Sequence, residues 1–145
     1  MGLGTYAGDV EVEEVWEQLK ADPRILLVDV RTRAEWSFVG LPDLRSVGGQ
    51  PALVEWQTFP AMAVNSAFVD SLRGELERRG LAADTPLYFL CRSGARSRSA
   101  AVAATEAGLG PAYNVAGGFE GPVGPDGHRG SIRGWKAAGL PWVQS

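Results

Sequence analysis

The sequence predicts an α/β fold built on an open sheet, and three observations predict it. Two short apolar runs, "RILLVDV" at 24–30 and "TPLYFLC" at 85–91, lack polar alternation, and "AYNVAGG" at 112–118 is a weaker third. Continuous runs of this kind suit strands covered on both faces, as in a parallel sheet. Between them lie stretches with helical spacing, and strands alternating with helices make βαβ units. A length of 145 residues is enough for one domain with a real core, so residues 1–145 are read as one domain.

In chain order, Val12, Val15, Trp16 and Leu19 share one helical face, and Asp22-Pro23 ends that helix. The run at 24–30 is the first clear strand. Phe68, Val69, Leu72 and Leu76 mark a second helix, with Asn65 or Ser66 as N-cap and Gly80 as its stop. The strand at 85–91 follows, and then a helix over 97–107 that Gly108 closes. Its Ala100, Ala101, Val102, Ala103 and Ala104 would let it lie close against the sheet. Glycine and proline collect at 40–60 and 108–130, which read as long loops.

Composition excludes several classes. A net charge of −3, with both signs spread along the chain, leaves no footprint for nucleic acid. A single cysteine excludes an intramolecular disulfide and any Cys-rich metal site. The N-terminal residues lack the basic-then-apolar order of a secretory signal, and Tyr6 stands where myristoylation wants Ser or Thr. No stretch approaches the roughly 18 apolar residues of a membrane span. The expectation is a cytoplasmic protein with no membrane partner.

The lone thiol sits in "LYFLCRSGARSRS", at the carboxyl end of a strand and before a helix starting at about 94–97. Ligands of open α/β sheets bind at that edge. Helix-start amides are unpaired within the helix and carry its positive dipole end, so they converge on an anionic sulfur or on anionic oxygens. Arg92 and Arg96 add positive charge, Gly94 permits a tight turn, and Ser93 and Ser97 add donors without bulk. Such surroundings favour the thiolate of a cysteine. A small buried hydrophobe ending a strand is the alternative use of a free cysteine; the cationic and hydroxylic residues that follow Cys91 argue for a nucleophile instead.

With these residues in view, "CRSGARS" resembles the active-site loop of single-domain rhodaneses, sulfurtransferases that carry sulfur as a cysteine persulfide. "LLVDVRTRAEW" at 26–36 is similar to the family's Asp-Val-Arg element with its following Glu and aromatic residue. "NVAGGFEG" at 114–121 is similar to its Asn-x-x-Gly-Gly segment, and "GWKAAGLPW" at 134–142 to its C-terminal helix and tail. The resemblance implies a rhodanese-like three-layer α/β domain, with a five-stranded, mostly parallel sheet and helices on both faces. It implies that Cys91 is the persulfide-bearing nucleophile and that Arg92, Ser93, Gly94, Ala95 and Arg96 form the loop whose amides cradle the sulfur. Asp29 and Arg31 match an element that supports the site structurally. The implied chemistry needs no metal or organic cofactor. It takes a small anionic donor such as thiosulfate, held by Arg92 and Arg96, and passes its sulfur to a thiol, cyanide or a protein acceptor.

Two departures stand out. "VGLPDLRSV" at 39–47 replaces the Gly-His-Ile-x-Gly-Ala of many members, leaving the third strand unplaced, and residues 48–65 and 121–133 are longer than in the shortest members. Trp56, Phe59 and Met62 of the first long loop either wall the cleft or, as the preferred reading, cover the core. The "GGFEG" turn reads as fixing the sheet edge, and His128, the one histidine, as a solvent-exposed loop residue. A non-catalytic or sulfur-relay module remains open, because relay and enzyme look the same in sequence. A Cys-dependent phosphatase needs arginine six positions after cysteine, where this chain has Ser97, its arginine coming one residue early. Arsenate reduction is disfavoured in the same way, and there is no second cysteine to resolve an intermediate.

Overall fold

The computed structural model describes residues 5–58 and 61–144. Strand β1 (Gly8–Glu11) runs directly into helix α1 (Val12–Ala21), followed by β2 (Leu26–Asp29), the short α2 (Arg33–Phe38) and β3 (Leu41–Pro42). Next come β4 (Ala52–Leu53), β5 (Gln57–Thr58), β6 (Ala63–Val64) and α3 (Phe68–Arg78). The chain then forms β7 (Leu87–Leu90), α4 (Ala95–Glu106), β8 (Ala112–Ala116) and β9 (Trp142–Val143).

Five strands make the central sheet in the order β1-β8-β7-β2-β4, and every pairing in it is parallel. The three apolar runs are the three interior strands. All four residues of β2 and of β7 are buried, as sequences without polar alternation require. Their side chains divide between two cores. Leu26, Val28, Leu87 and Phe89 pack with Phe68, Leu72 and Leu76 of α3 and Ala100, Ala101 and Ala104 of α4. Leu27, Tyr88 and Leu90 face Val12, Val15 and Leu19 of α1 together with Phe119 and Trp135. Helices thus cover both faces, giving the expected three layers. Burying each large apolar side chain is worth about 1.5–3 kcal/mol, so these alternating sets hold the strand register.

Several local expectations are corrected. The missing strand of the sheet is β4, which pairs with β2 through Val28 and Asp29; residues 39–47 form instead β3 and a single 3-10 turn at Arg45–Val47. Helix α3 is preceded by Ala67 without a side-chain cap; Asn65 accepts a hydrogen bond from the Ala67 amide at 3.0 Å and donates to the Glu55 carbonyl at 2.9 Å. The segment 134–142 is a turn followed by β9 rather than a helix, since Gly134 and Gly139 bracket it at φ 104° and 74°. Trp56 lies edge-on to Phe68 with centroids 5.1 Å apart and so covers the core, whereas Met62 is exposed. Phe59 lies outside the described residues. No helix among the described residues is long and apolar enough to cross a membrane.

Candidate active site

The carboxyl ends of β2, β7 and β8 meet at one edge of the sheet, and Cys91 is the first residue beyond β7. It is buried. The chain turns through Arg92 and Ser93 to Gly94, which caps α4 at φ 127°, a backbone conformation that L side chains rarely adopt. That turn carries the Gly94 amide back to donate to Cys91 Sγ at 3.1 Å. Ser97, in the first turn of α4, places its Oγ 3.2 Å from the same sulfur. The sulfur therefore sits against the N-terminus of a twelve-residue helix, where unpaired amides and the dipole favour negative charge.

The segment after β8 clamps this loop from the other side. The Phe119 amide donates to the Cys91 carbonyl at 2.8 Å, and the amides of Glu120 and Gly121 both donate to the Arg92 carbonyl at 3.0 Å. Gly118, at φ 66°, passes so close that a Cβ there would stand 2.5 Å from the Arg92 oxygen and 2.6 Å from the Cys91 oxygen. The "GGFEG" turn thus holds the cysteine loop, and it follows an interior strand rather than fixing the sheet edge.

Asp29 and Arg31 form a fully buried ion pair beside this loop. Arg31 Nε and Nη2 donate to the two carboxylate oxygens at 2.9 and 2.6 Å, and Nη2 also donates to the Gly40 carbonyl at 2.7 Å. The guanidinium lies 4.2 Å over the Phe119 ring, so it joins the strap from Phe119 to the end of β2.

The two loop arginines differ. Arg92 is exposed and, among the described residues, its side chain has no hydrogen-bond partner. Arg96 is half-buried and grips Glu35 of α2 in a bidentate pair. Glu35 also accepts from the amide and hydroxyl of Thr32, completing a capping box that starts α2. Burial alone would push the Glu35 carboxyl up, but the hydrogen bonds and charge of Arg96, with the Thr32 donors, outweigh it and bring its pKa to about 2. Ser93 and Ala95 are exposed on the loop.

Three residues of the site were given no role by the sequence: Glu35 and Asn114, which stood only as positions of the resembling motifs, and Asp9, which was not singled out. Ser97 was read only as a donor, yet it is buried and its Oγ also lies 2.5 Å from Asn114 Oδ1. Asn114 of β8 in turn donates to Asp9 of β1 at 2.9 Å. The signals were a Thr-x-x-Glu spacing for Glu35 and an asparagine inside an apolar strand for Asn114. His128 is exposed, and no hydrogen bond links it to Cys91 among the described residues.

Comparison with known proteins bears on the family and the fold. The model of the rhodanese-like domain matches residues 11–122. The crystal structure of Rv0390 from M. tuberculosis is 50% identical, covers 97% of this chain and 100% of its own, and superposes with a TM-score of 0.87. A protein of Rickettsia rickettsii, the uncharacterized RP600 homolog, is 34% identical over 89% of this chain and 91% of its own length. The polysulfide-sulfur transferase homodimer from Wolinella succinogenes shares the fold at 23% identity and a TM-score of 0.57, covering 94% of this chain and 78% of its own. A family match over most of the chain, on a five-stranded parallel sheet with helices on both faces, leaves one assignment: the chain belongs to the rhodanese-like domain family.

Proposed function

We propose that the protein is a sulfurtransferase that carries sulfane sulfur on Cys91. The observation that carries this reading is the position of Cys91 Sγ, held by the Gly94 amide at the N-terminus of α4. In the first half-reaction the Cys91 thiolate attacks the outer sulfur of thiosulfate. A Cys91–sulfur bond forms, the sulfur–sulfur bond of the donor breaks, and its electron pair leaves with sulfite. The anionic terminal sulfur of the persulfide then lies among the amides of residues 92–96. Charge-assisted hydrogen bonds are roughly twice as strong as neutral ones, so this loop stabilises the intermediate more than the free thiol. In the second half-reaction a thiol, cyanide or protein acceptor takes the outer sulfur and the Cys91 thiolate is restored.

Arg92, exposed and without a side-chain partner among the described residues, is the cation that meets the donor's oxygens. Arg96 is held by Glu35 and props the loop. Asp29 and Arg31 support it from the end of β2. The position where a phosphatase needs its arginine holds Ser97, buried against the cysteine, which leaves no guanidinium there to grip a phosphoryl group. No step of this scheme calls for a metal or organic cofactor.

Steady-state formation of thiocyanate from thiosulfate and cyanide tests the enzymatic reading. Turnover that saturates in thiosulfate and disappears in Cys91→Ser supports it. Persulfide that forms but never turns over would make the protein a relay module instead.

A further inference from the structure

A chain of hydrogen bonds runs from the protein surface to the catalytic sulfur, and the chemistry of its members fixes the direction of every link. Arg98 Nε is only a donor, and it lies 3.2 Å from the Tyr6 hydroxyl. Tyr6 therefore spends its own proton on Asp9 Oδ1, 3.0 Å away. Asp9 is a carboxylate, an acceptor only. The hydrogen bond from Asn114 comes first in keeping its carboxyl below the usual range; burial opposes it, and Tyr6, Arg98 and Arg133 reinforce it. Asn114 must therefore turn its NH2 toward Asp9, at 2.9 Å, and its carbonyl oxygen toward Ser97. Ser97 Oγ then faces two pure acceptors, Asn114 Oδ1 at 2.5 Å and the Gly94 carbonyl at 3.1 Å. A hydroxyl has one hydrogen. Spent on either oxygen, it leaves a lone pair directed at Cys91 Sγ.

We propose that Asp9 is a positioning residue for Cys91: by locking the Asn114 amide, it holds the Ser97 hydroxyl turned away from the sulfur. At rest Ser97 accepts from the Cys91 S–H and favours the neutral thiol. When the sulfur becomes an anion, the hydroxyl must rotate toward it and give up its bond to Asn114 or Gly94. The link from β1 through β8 to α4 thus acts as a brake on the resting thiol, with a donor ready for the anionic state. Other charged groups near Cys91 are Arg92 beside it in the loop, Arg96, paired with Glu35, and the Asp29–Arg31 pair at the end of β2; none belongs to this chain of bonds.

The inference rests on the proposed role of Cys91 only in taking it as the reacting group, and its test needs no turnover. Because Cys91 is the only cysteine, iodoacetamide reports on it alone. The quantity to measure is the alkylation rate at pH 7 as a fraction of the limiting alkaline rate. In Asp9→Asn the Asn114 amide is free to flip and its NH2 then donates to Ser97; the hydroxyl proton is left to the Gly94 carbonyl or the sulfur, of which the anionic thiolate is the stronger acceptor. A charge-assisted hydrogen bond gained by the thiolate, in exchange for the neutral one the hydroxyl gives up, should raise this fraction about fivefold. The rise should vanish when Asp9→Asn is placed in a Ser97→Ala background, and equally in an Asn114→Ala background, since each breaks the link. If Asp9→Asn leaves the fraction unchanged, the proposal is wrong. If the rise persists in either background, Asp9 acts by its charge through space, and the proposal is equally overturned. Sulfur-transfer assays read the function separately, so a protein that fails to turn over can still satisfy this test.

Discussion

Arg96 on α4 holds Glu35 on α2 through both ends of its guanidinium, at 2.7 and 2.9 Å. One loop arginine is thereby a strut between the cysteine loop and the element following β2, while Arg92 is exposed to solvent. The pair also makes stability depend on acid. The Glu35 carboxyl titrates at about 2 in the fold against an ordinary 4.5. A lowered carboxyl stabilises the fold above its unfolded value and loses that contribution as pH falls through the folded one. Its share, about 1–2 kcal/mol once solvent screening of the partly exposed pair is allowed for, should therefore disappear between about pH 4.5 and 2. Urea unfolding at pH 6 and pH 3 should show a smaller acid-induced loss in Glu35→Gln than in wild type. Equal losses would mean that the pair contributes nothing in solution.

The two arginines should fail differently. Arg92→Ala removes a charge facing solvent and should raise KM for thiosulfate about tenfold, the value of one charge-assisted hydrogen bond, with the fold unchanged. Arg96→Ala leaves a half-buried carboxylate without its partner and should lower stability, with activity falling because the loop is no longer held. Thiosulfate kinetics and thermal melts on both variants separate the roles. A KM effect confined to Arg96→Ala would reverse the assignment.

Gly118→Ala tests the clamp. The new methyl meets the backbone of Cys91 and Arg92 at 2.5–2.6 Å, and φ 66° is strained for alanine. Backbone cannot step aside as a flexible side chain would, so a loss of at least about 2 kcal/mol is expected, with sulfur transfer reduced at least tenfold in the folded fraction. A variant as stable and active as wild type would show that the loop is not positioned by this strap.

Removing one member of the buried pair should be costly. Asp29→Ala strands the Arg31 charge in the interior, where a broken buried pair costs about 3–5 kcal/mol. The double variant Asp29→Leu/Arg31→Met removes both charges and should recover part of that loss. Denaturant midpoints for the two variants check this, and a double variant no better than the single one would contradict it.

How much of this was legible in the residues follows from burial. Strands β2, β7 and β8 are interior, and their unbroken apolar runs announce them. Strand β1 is an edge strand whose Asp9 and Glu11 are exposed, so its pattern merges with the acidic start of α1. Strand β4 is two residues long within a Gly- and Pro-rich stretch and is held by pairing with β2 rather than by propensity. At the site, Cys91 and its loop are contiguous and carry their own chemistry, which makes them readable. Glu35 meets Arg96 and Asp9 meets Asn114 across 61 and 105 positions of sequence. Such pairs are set by the order of strands and helices, which local spacing does not encode. Arg96 was accordingly read as a donor-binding group, because its partner comes from another element.

The central claim is that Cys91 accepts a sulfur atom, and intact-protein mass spectrometry after brief thiosulfate treatment tests it most directly. The account predicts a gain of one sulfur atom, localised to the peptide containing Cys91, removed by cyanide and absent in a folded Cys91→Ser variant. A wild-type protein that gains no mass, or a Cys91→Ser variant that retains more than about a tenth of the transfer activity, a loss of less than about 1.4 kcal/mol in transition-state stabilisation, would contradict it.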